Sequence, residues 1–574
     1  MHYVFDRRTA RPRSESKTIT DQDAFPPKTG PAHFVSGLGL CLAALFLLAS
    51  LTPSLAPRPP VLQGVASGVI TAIGYELGLG FGAVWRFLDL PQPRGRLLYR
   101  LRQTSAAVTL LIAPIAFHAS TGWRNATREV AGLAPLDQSN TVTIALLALG
   151  TALLLWAMFR LFWALARRIE APLRRLIPAR IAQGLSLLLG LAVFYTVIEG
   201  TAVRYAFRGA DSAMEAADRF IDPDLPRPEA PEKTGSPASL ITWEQLGDTG
   251  RSYVATAPSA AEIARIKGAP AMEPIRVYVG RTAARTARAR AELALKELIR
   301  VGGFDRSVLV VVSPTGTGWM DPDAFDTLDM LMAGDVATVA VQYSYLSSSL
   351  ALAVHPELGV EQARALFDVI HDYWSALPVE TRPRLYVFGL SLGAYNSQAT
   401  LPLLDMLGDP IQGALWVGSP FLSPMWRYLQ DQRWPDSPPW HPRLGNGSLV
   451  RTMTQFEGLT PKDAAWGPIR LIFLQYASDP IPLFTLGMAL RRPDWLRYDR
   501  AADVSPRLRW VPIVTMLQTA LDMLIALQVE RFGHYYVAED YLPAWQGLLT
   551  PDGWTPQSTD RLLSALQARR AARD

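Results

Sequence analysis

Five apolar stretches crowd the first 204 residues of this 574-residue chain, at 34–55, 61–85, 105–121, 141–165 and 181–203. Chain surrounded by hydrocarbon must satisfy each backbone N–H and C=O within itself, so stretches of this length and composition are restricted to membrane-spanning helices. The third is short and interrupted by Pro114, which leaves a count of four with a re-entrant segment as the rival to five. A polar lead and the lack of a small-residue cleavage site argue against a cleaved signal peptide.

Charge in the connecting loops predicts orientation. The leader holds Arg7, Arg8, Arg11, Arg13, Lys17 and Lys28; the second loop holds Arg86, Arg94, Arg96, Arg100 and Arg102, and the fourth loop Arg160, Arg167, Arg168, Arg174, Arg175 and Arg180. The alternate loops hold only Arg58, and Arg124 with Arg128. By the positive-inside rule the N-terminus is cytoplasmic, and five spans put everything after Val203 on the outer face of a multi-pass inner-membrane protein. Residues 1–204 hold 21 basic and 10 acidic residues, a net +11, so the remaining 35 basic and 41 acidic residues carry −6. The basic excess therefore belongs to membrane loops, which excludes a nucleic-acid-binding surface. Glu76, His118 and Glu199 fall within or at the ends of the apolar stretches, where ionisable groups are costly. Glu76, in mid-span, has no partner legible in the sequence.

Residues 1–33 read as a cytoplasmic leader, 34–204 as the helical membrane domain, 205–270 as a Pro-rich linker and entry segment, and 271–574 as a soluble domain. In the last, strands are expected near 275–280, 307–313, 337–343, 384–389, 413–418 and 469–476, alternating with helical patterns of which 286–301 is the clearest. Such alternation gives an α/β fold, a mainly parallel sheet with helices on both faces.

Within this pattern the run Leu385-Tyr386-Val387-Phe388 enters Gly389-Leu390-Ser391-Leu392-Gly393-Ala394. Glycine on both sides of a serine at a strand-to-helix turn is the form of a nucleophile elbow, since side chains there would collide with neighbouring strand and helix. Two backbone donors are expected for the oxyanion that such a serine generates. One is the N–H of Leu392; the other is that of Thr315 or Gly316, in the loop Pro314-Thr315-Gly316-Thr317-Gly318-Trp319 that ends a β-branched strand. Asp479 follows the strand at 469–476 and so reaches the same sheet edge, as the acid that would orient a histidine. Of the two histidines after the serine, His441 precedes Asp479 and has the wrong chain order, leaving His534 in Arg531-Phe532-Gly533-His534-Tyr535-Tyr536 as the general base. Asp522, in an apolar helical run at 511–529, is the main rival to Asp479. A Trp/Pro-rich insertion at 424–466 is the other candidate to shape the substrate site.

These segments, together with Pro274-Ile275-Arg276-Val277-Tyr278-Val279-Gly280, resemble the α/β-hydrolase superfamily, and specifically its bacterial membrane-anchored members with a separate hydrophobic N-terminal domain. The resemblance implies a serine hydrolase of undefined substrate. The expectation is thus an α/β-hydrolase fold preceded by an all-α transmembrane domain, acting on an acyl ester drawn from a lipid or the cell envelope. An acyltransferase on the same three residues and a catalytically silent envelope scaffold are the alternatives. No cofactor or metal is expected: Cys41, the single cysteine, lies in the first apolar stretch, and His/Asp/Glu spacings typical of metal sites do not occur.

Overall fold

The computed structural model describes residues 36–573 apart from 92–94, 138–139, 198–203, 355, 402–407 and 552–553. The basic leader and Glu199 lie outside the described residues. The N-terminal part forms helices α1 (Gly37–Ser50), α2 (Pro60–Phe87), α3 (Gly95–Val130), α4 (Thr141–Leu173) and α5 (Ala179–Val197). Against the expected five spans, three segments among the described residues are long and apolar enough to cross a membrane: Pro60–Trp85, Gly95–Val130 and Thr141–Leu173. The 14 residues of α1 reach only about 21 Å at 1.5 Å per residue, short of a hydrocarbon layer of about 30 Å. Within the described residues the apolar part of α5 is Ile181–Thr196. Pro114 does not interrupt its stretch, because it sits inside the continuous 36-residue α3. Glu76 finds the partner that the sequence did not disclose, a side-chain hydrogen bond with Trp163 of α4, with the charge of Arg160 nearby.

Glycines set how closely these helices pack. A Cβ on Gly78 would stand 2.6 Å from Gly39 Cα of α1, and one on Gly68 would stand 2.6 Å from the Ala148 carbonyl of α4. Helix α2 thus presents small residues to both neighbours, the usual route to close backbone approach where lipid supplies no hydrophobic drive.

The C-terminal part is built on seven parallel strands, β1 (Ile275–Val279), β2 (Val308–Ser313), β3 (Val336–Val341), β4 (Arg384–Leu390), β5 (Gly413–Val417), β6 (Val450–Met453) and β7 (Arg470–Leu474), in the order β1-β3-β2-β4-β5-β7-β6. Every residue of β2 and β3 is buried, which explains their continuous β-branched composition: helices cover both faces. The helix Ala287–Arg300 begins where the sequence suggests, with Thr286 accepting a capping hydrogen bond from the Ala289 N–H at 3.1 Å. Strand β6 was not legible. It is four residues long, Val450-Arg451-Thr452-Met453, sits at the sheet edge beside β7, and falls inside the Trp-rich insertion. Trp426 and Trp440 of that insertion are buried.

The two parts meet through a buried ion pair. Asp522, fully buried at the end of the helix Val514–Asp522, accepts hydrogen bonds from Arg58 Nε at 2.7 Å, the Leu55 N–H at 3.0 Å and the Ala56 N–H at 3.3 Å. Gln518 of the same helix donates to the carbonyl of Ser50 at 3.2 Å. Val514 packs with Ala49 of α1 and Ile70 of α2.

Candidate functional site

Four adjacent strands, β2, β4, β5 and β7, bring their carboxyl ends to one edge. At the end of β4, Ser391 adopts φ 56° and ψ −126°, a region that non-glycine residues seldom occupy. The turn is held by the Ser391 N–H donating to the Val417 carbonyl at 2.9 Å and the Ala394 N–H donating to Ser391 at 2.9 Å. The flanking glycines are steric necessities: a Cβ on Gly393 would stand 2.1 Å from the Ser313 carbonyl oxygen, and one on Gly389 2.6 Å from the Ala394 nitrogen. The close approach of Gly393 seats the loop after β2 against the start of the elbow helix Leu392–Thr400.

Asp479 leaves the end of β7 and caps the short helix Pro480–Leu483, its Oδ1 accepting from the Ile481 N–H at 2.9 Å. Its other oxygen, Oδ2, receives His534 Nδ1 at 2.5 Å and the Tyr536 hydroxyl at 2.8 Å. Asp479 is fully buried and His534 is 4% exposed. Burial, and next to it the charge of Asp479, push the Tyr536 phenol well above its ordinary range, so it remains a hydrogen-bond donor. The histidine is held from behind, its own N–H donating to the Ala526 carbonyl at 2.7 Å and that of Gly533 to Ser478 Oγ at 2.9 Å. Gly533 has φ 62°, and a Cβ there would stand 2.7 Å from the Ala526 oxygen, which accounts for the glycine before the histidine.

The imidazole lies over Gly418 at the end of β5, where a Cβ would meet His534 Cε1 at 2.3 Å. Strand β5 separates the strands that carry Ser391 and Asp479. At about 4.8 Å between neighbouring strands, serine and aspartate stand on strands about 10 Å apart with the histidine between them. His534 Nε2, the nitrogen not engaged by Asp479, is buried and has no hydrogen-bond partner among the described residues.

The expected oxyanion donors differ in their state. Leu392 opens the elbow helix, and a first-turn N–H has no intrahelical partner. The Thr315 N–H instead donates to the Trp319 carbonyl at 3.3 Å and the Gly316 N–H to Ser348 Oγ at 3.0 Å. An oxyanion could use either only by displacing that acceptor. Asp522, the rival acid, is committed to Arg58 and makes no contact with His534. His441 is bound elsewhere, its Nε2 within 2.9 Å of Thr460 Oγ1.

A cleft of about 350 Å³ opens beside His534, with Trp319, Leu390 and Leu527 in its wall. Arg570 and Arg573, from the C-terminal helix Pro556–Arg573, also reach it and pair with Asp323 at 2.7 and 2.5 Å. Next to them, burial and the proximity of Asp323 push the Asp321 carboxyl up to about 7. Sequence reasoning missed Gly418, Tyr536, Asp321 and this arginine pair. Only Tyr536 had a signal, its place two residues after the histidine.

A parallel sheet with a strained serine at a glycine-flanked strand-to-helix turn, and a buried histidine–carboxylate pair at the same edge, defines the α/β-hydrolase class. Residues 275–562 match the model of the Alpha/beta-hydrolase family, and residues 51–258 match that of the Alpha/beta-hydrolase family N-terminus; the chain belongs to this family. No curated protein and no solved structure matches the chain.

Proposed function

We propose that this protein is a membrane-anchored serine hydrolase that cleaves acyl esters. The reading is carried by the Asp479–His534 hydrogen bond of 2.5 Å, made over Gly418 on the strand adjoining that of Ser391. In this mechanism Ser391 Oγ attacks the ester carbonyl while His534 Nε2 takes its proton, then returns it to the leaving alcohol. Asp479 fixes the Nδ1–H tautomer and favours the imidazolium, and the Leu392 N–H receives the oxyanion, a contribution of about 3 kcal/mol for one such donor. Water, activated by the same histidine, then releases the acid. That catalytic hydrogen bonds tighten only around bound substrate accounts for a free Nε2 without ligand.

A lipid ester is the substrate class we favour. Leu524 and Leu527, 64% and 60% exposed, immediately follow the helix that docks on α1 and α2, and Leu527 also borders the cleft. Five residues of chain span at most about 18 Å, so this wall of the cleft stays within that distance of Asp522 and the α1–α2 loop. Labelling by a fluorophosphonate probe tests the nucleophile: wild type should react and Ser391→Ala should not, with membrane insertion unchanged. Continued labelling of the variant would remove Ser391 from the mechanism.

A further inference from the structure

A second cavity of about 350 Å³ lies apart from the cleft at His534 and shares no lining residue with it. Three aromatic side chains line it, Trp440, Tyr498 and Phe456, and Trp440 and Tyr498 meet edge to face at 6.3 Å between centroids. Phe456 is 62% exposed. Three carboxylates share the lining: Glu457, Asp499 and Asp503. One cation also lines it, Arg500, whose Nη1 donates to the carbonyls of Leu496 and Tyr498 at 3.0 and 2.9 Å.

The acidic side of this cavity is incompletely satisfied. Asp503 is 2% exposed; its Oδ2 accepts from the Ser478 N–H at 2.7 Å and from Gln455 Nε2 at 2.8 Å, while its Oδ1 has no partner among the described residues. Trp440 Nε1, in a residue 5% exposed, is likewise unpartnered. A hydrogen bond from His441 holds the Glu457 carboxyl below its usual range, so it is ionised at neutral pH. An organic cation would meet both the carboxylates and the negative faces of the rings.

We propose that this cavity binds an organic cation, an alkylammonium or quaternary ammonium group, between the aromatic rings and Glu457 and Asp503. The site is independent of the esterase reading, although Asp503 is bonded to Ser478, the neighbour of Asp479 in the chain. The group could come from a free amine or from the headgroup of a zwitterionic lipid, since the recognised chemistry is the same.

The test is a calorimetric titration of the full-length protein in detergent with choline and with its uncharged isostere 3,3-dimethylbutan-1-ol. Choline should bind saturably and the isostere should not, and Phe456→Ala and Glu457→Gln should each weaken choline about tenfold, as loss of one cation–π or ionic contact implies. Both altered side chains are exposed, and Trp fluorescence unfolding curves superimposable on wild type would establish that the variants fold. Choline binding abolished in phosphatidylcholine nanodiscs but retained in phosphatidylglycerol nanodiscs would assign the site to a lipid headgroup; binding retained in both would assign it to a free cation. Absence of saturable choline binding to wild type, equal binding of the isostere, or unchanged affinity in both variants would overturn the proposal.

Discussion

Replacing Asp522 by Ala separates an architectural carboxylate from a catalytic one. The side chain is fully buried and receives Arg58 Nε at 2.7 Å together with two backbone N–H groups. Its removal leaves the guanidinium of Arg58, itself 4% exposed, with only the Gln518 carbonyl at 3.0 Å from Nη2. Breaking a buried pair from one side costs about 3–5 kcal/mol, because the surviving charge is not resolvated. Spread over an unfolding entropy of about 0.6 kcal/mol/K, from about 2.1 cal/mol/K per residue across roughly 300 residues, this lowers the Tm by about 5–8 °C. Thermal unfolding followed by tryptophan fluorescence measures that shift, and the double variant Arg58→Met/Asp522→Leu should recover most of it. Below the transition, hydrolysis of a short soluble ester by Asp522→Ala should stay within about threefold of wild type, whereas Asp479→Ala should lose about 10⁴-fold. An unchanged Tm with activity lost to the level of Asp479→Ala would refute the reasoning and make Asp522 the acid partner of the histidine.

Three further perturbations probe the site and its support. Gly418→Ala places a methyl 2.3 Å from His534 Cε1 at a φ of 54°, so kcat on a soluble ester should fall at least about 100-fold while the protein still folds. Tyr536→Phe removes a 2.8 Å hydrogen bond to the Asp479 carboxylate, a contact worth about 1.5–3 kcal/mol, and kcat should drop about tenfold or more with KM unchanged. Burial pushes Asp329 up to about 6 from an ordinary 3.8, so the folded state holds this proton more tightly than the unfolded chain does. Folded stability from this group, which pairs with Arg276 at 2.7 Å, is therefore fullest below pH 4 and declines as pH rises through 6. Asp329→Asn should lack that decline, and denaturant titrations of both proteins between pH 4 and 7 read the difference directly.

What the chain spells out locally survived folding. Glycines at 389 and 393 mark a turn where a Cβ has no room, and β-branched runs such as Val308-Leu309-Val310-Val311-Val312 mark strands covered on both faces. Such constraints act within a few residues, so they appear as local pattern. The same locality explains two departures. The length of apolar composition suggested five spans; among the described residues three segments reach spanning length, and α1 stops after 14 residues at a loop tied to Asp522, because helix ends depend on capping and on neighbours. Pro114 read as a break, yet α3 continues through it.

The sequence by itself determined six of the seven strands, the elbow at Ser391 and the chain order of serine, acid and histidine. The strand-end position of Asp479 already favoured it over Asp522 in the sequence; tertiary structure adds the partners, His534 for Asp479 and Arg58 for Asp522. It alone decided, too, that Gly418 supports the imidazole and that Tyr536 shares Oδ2 of Asp479. Those contacts join residues 57 to 116 positions apart. Pairings over such separations arise from the order of strands in the sheet, which local propensity does not encode.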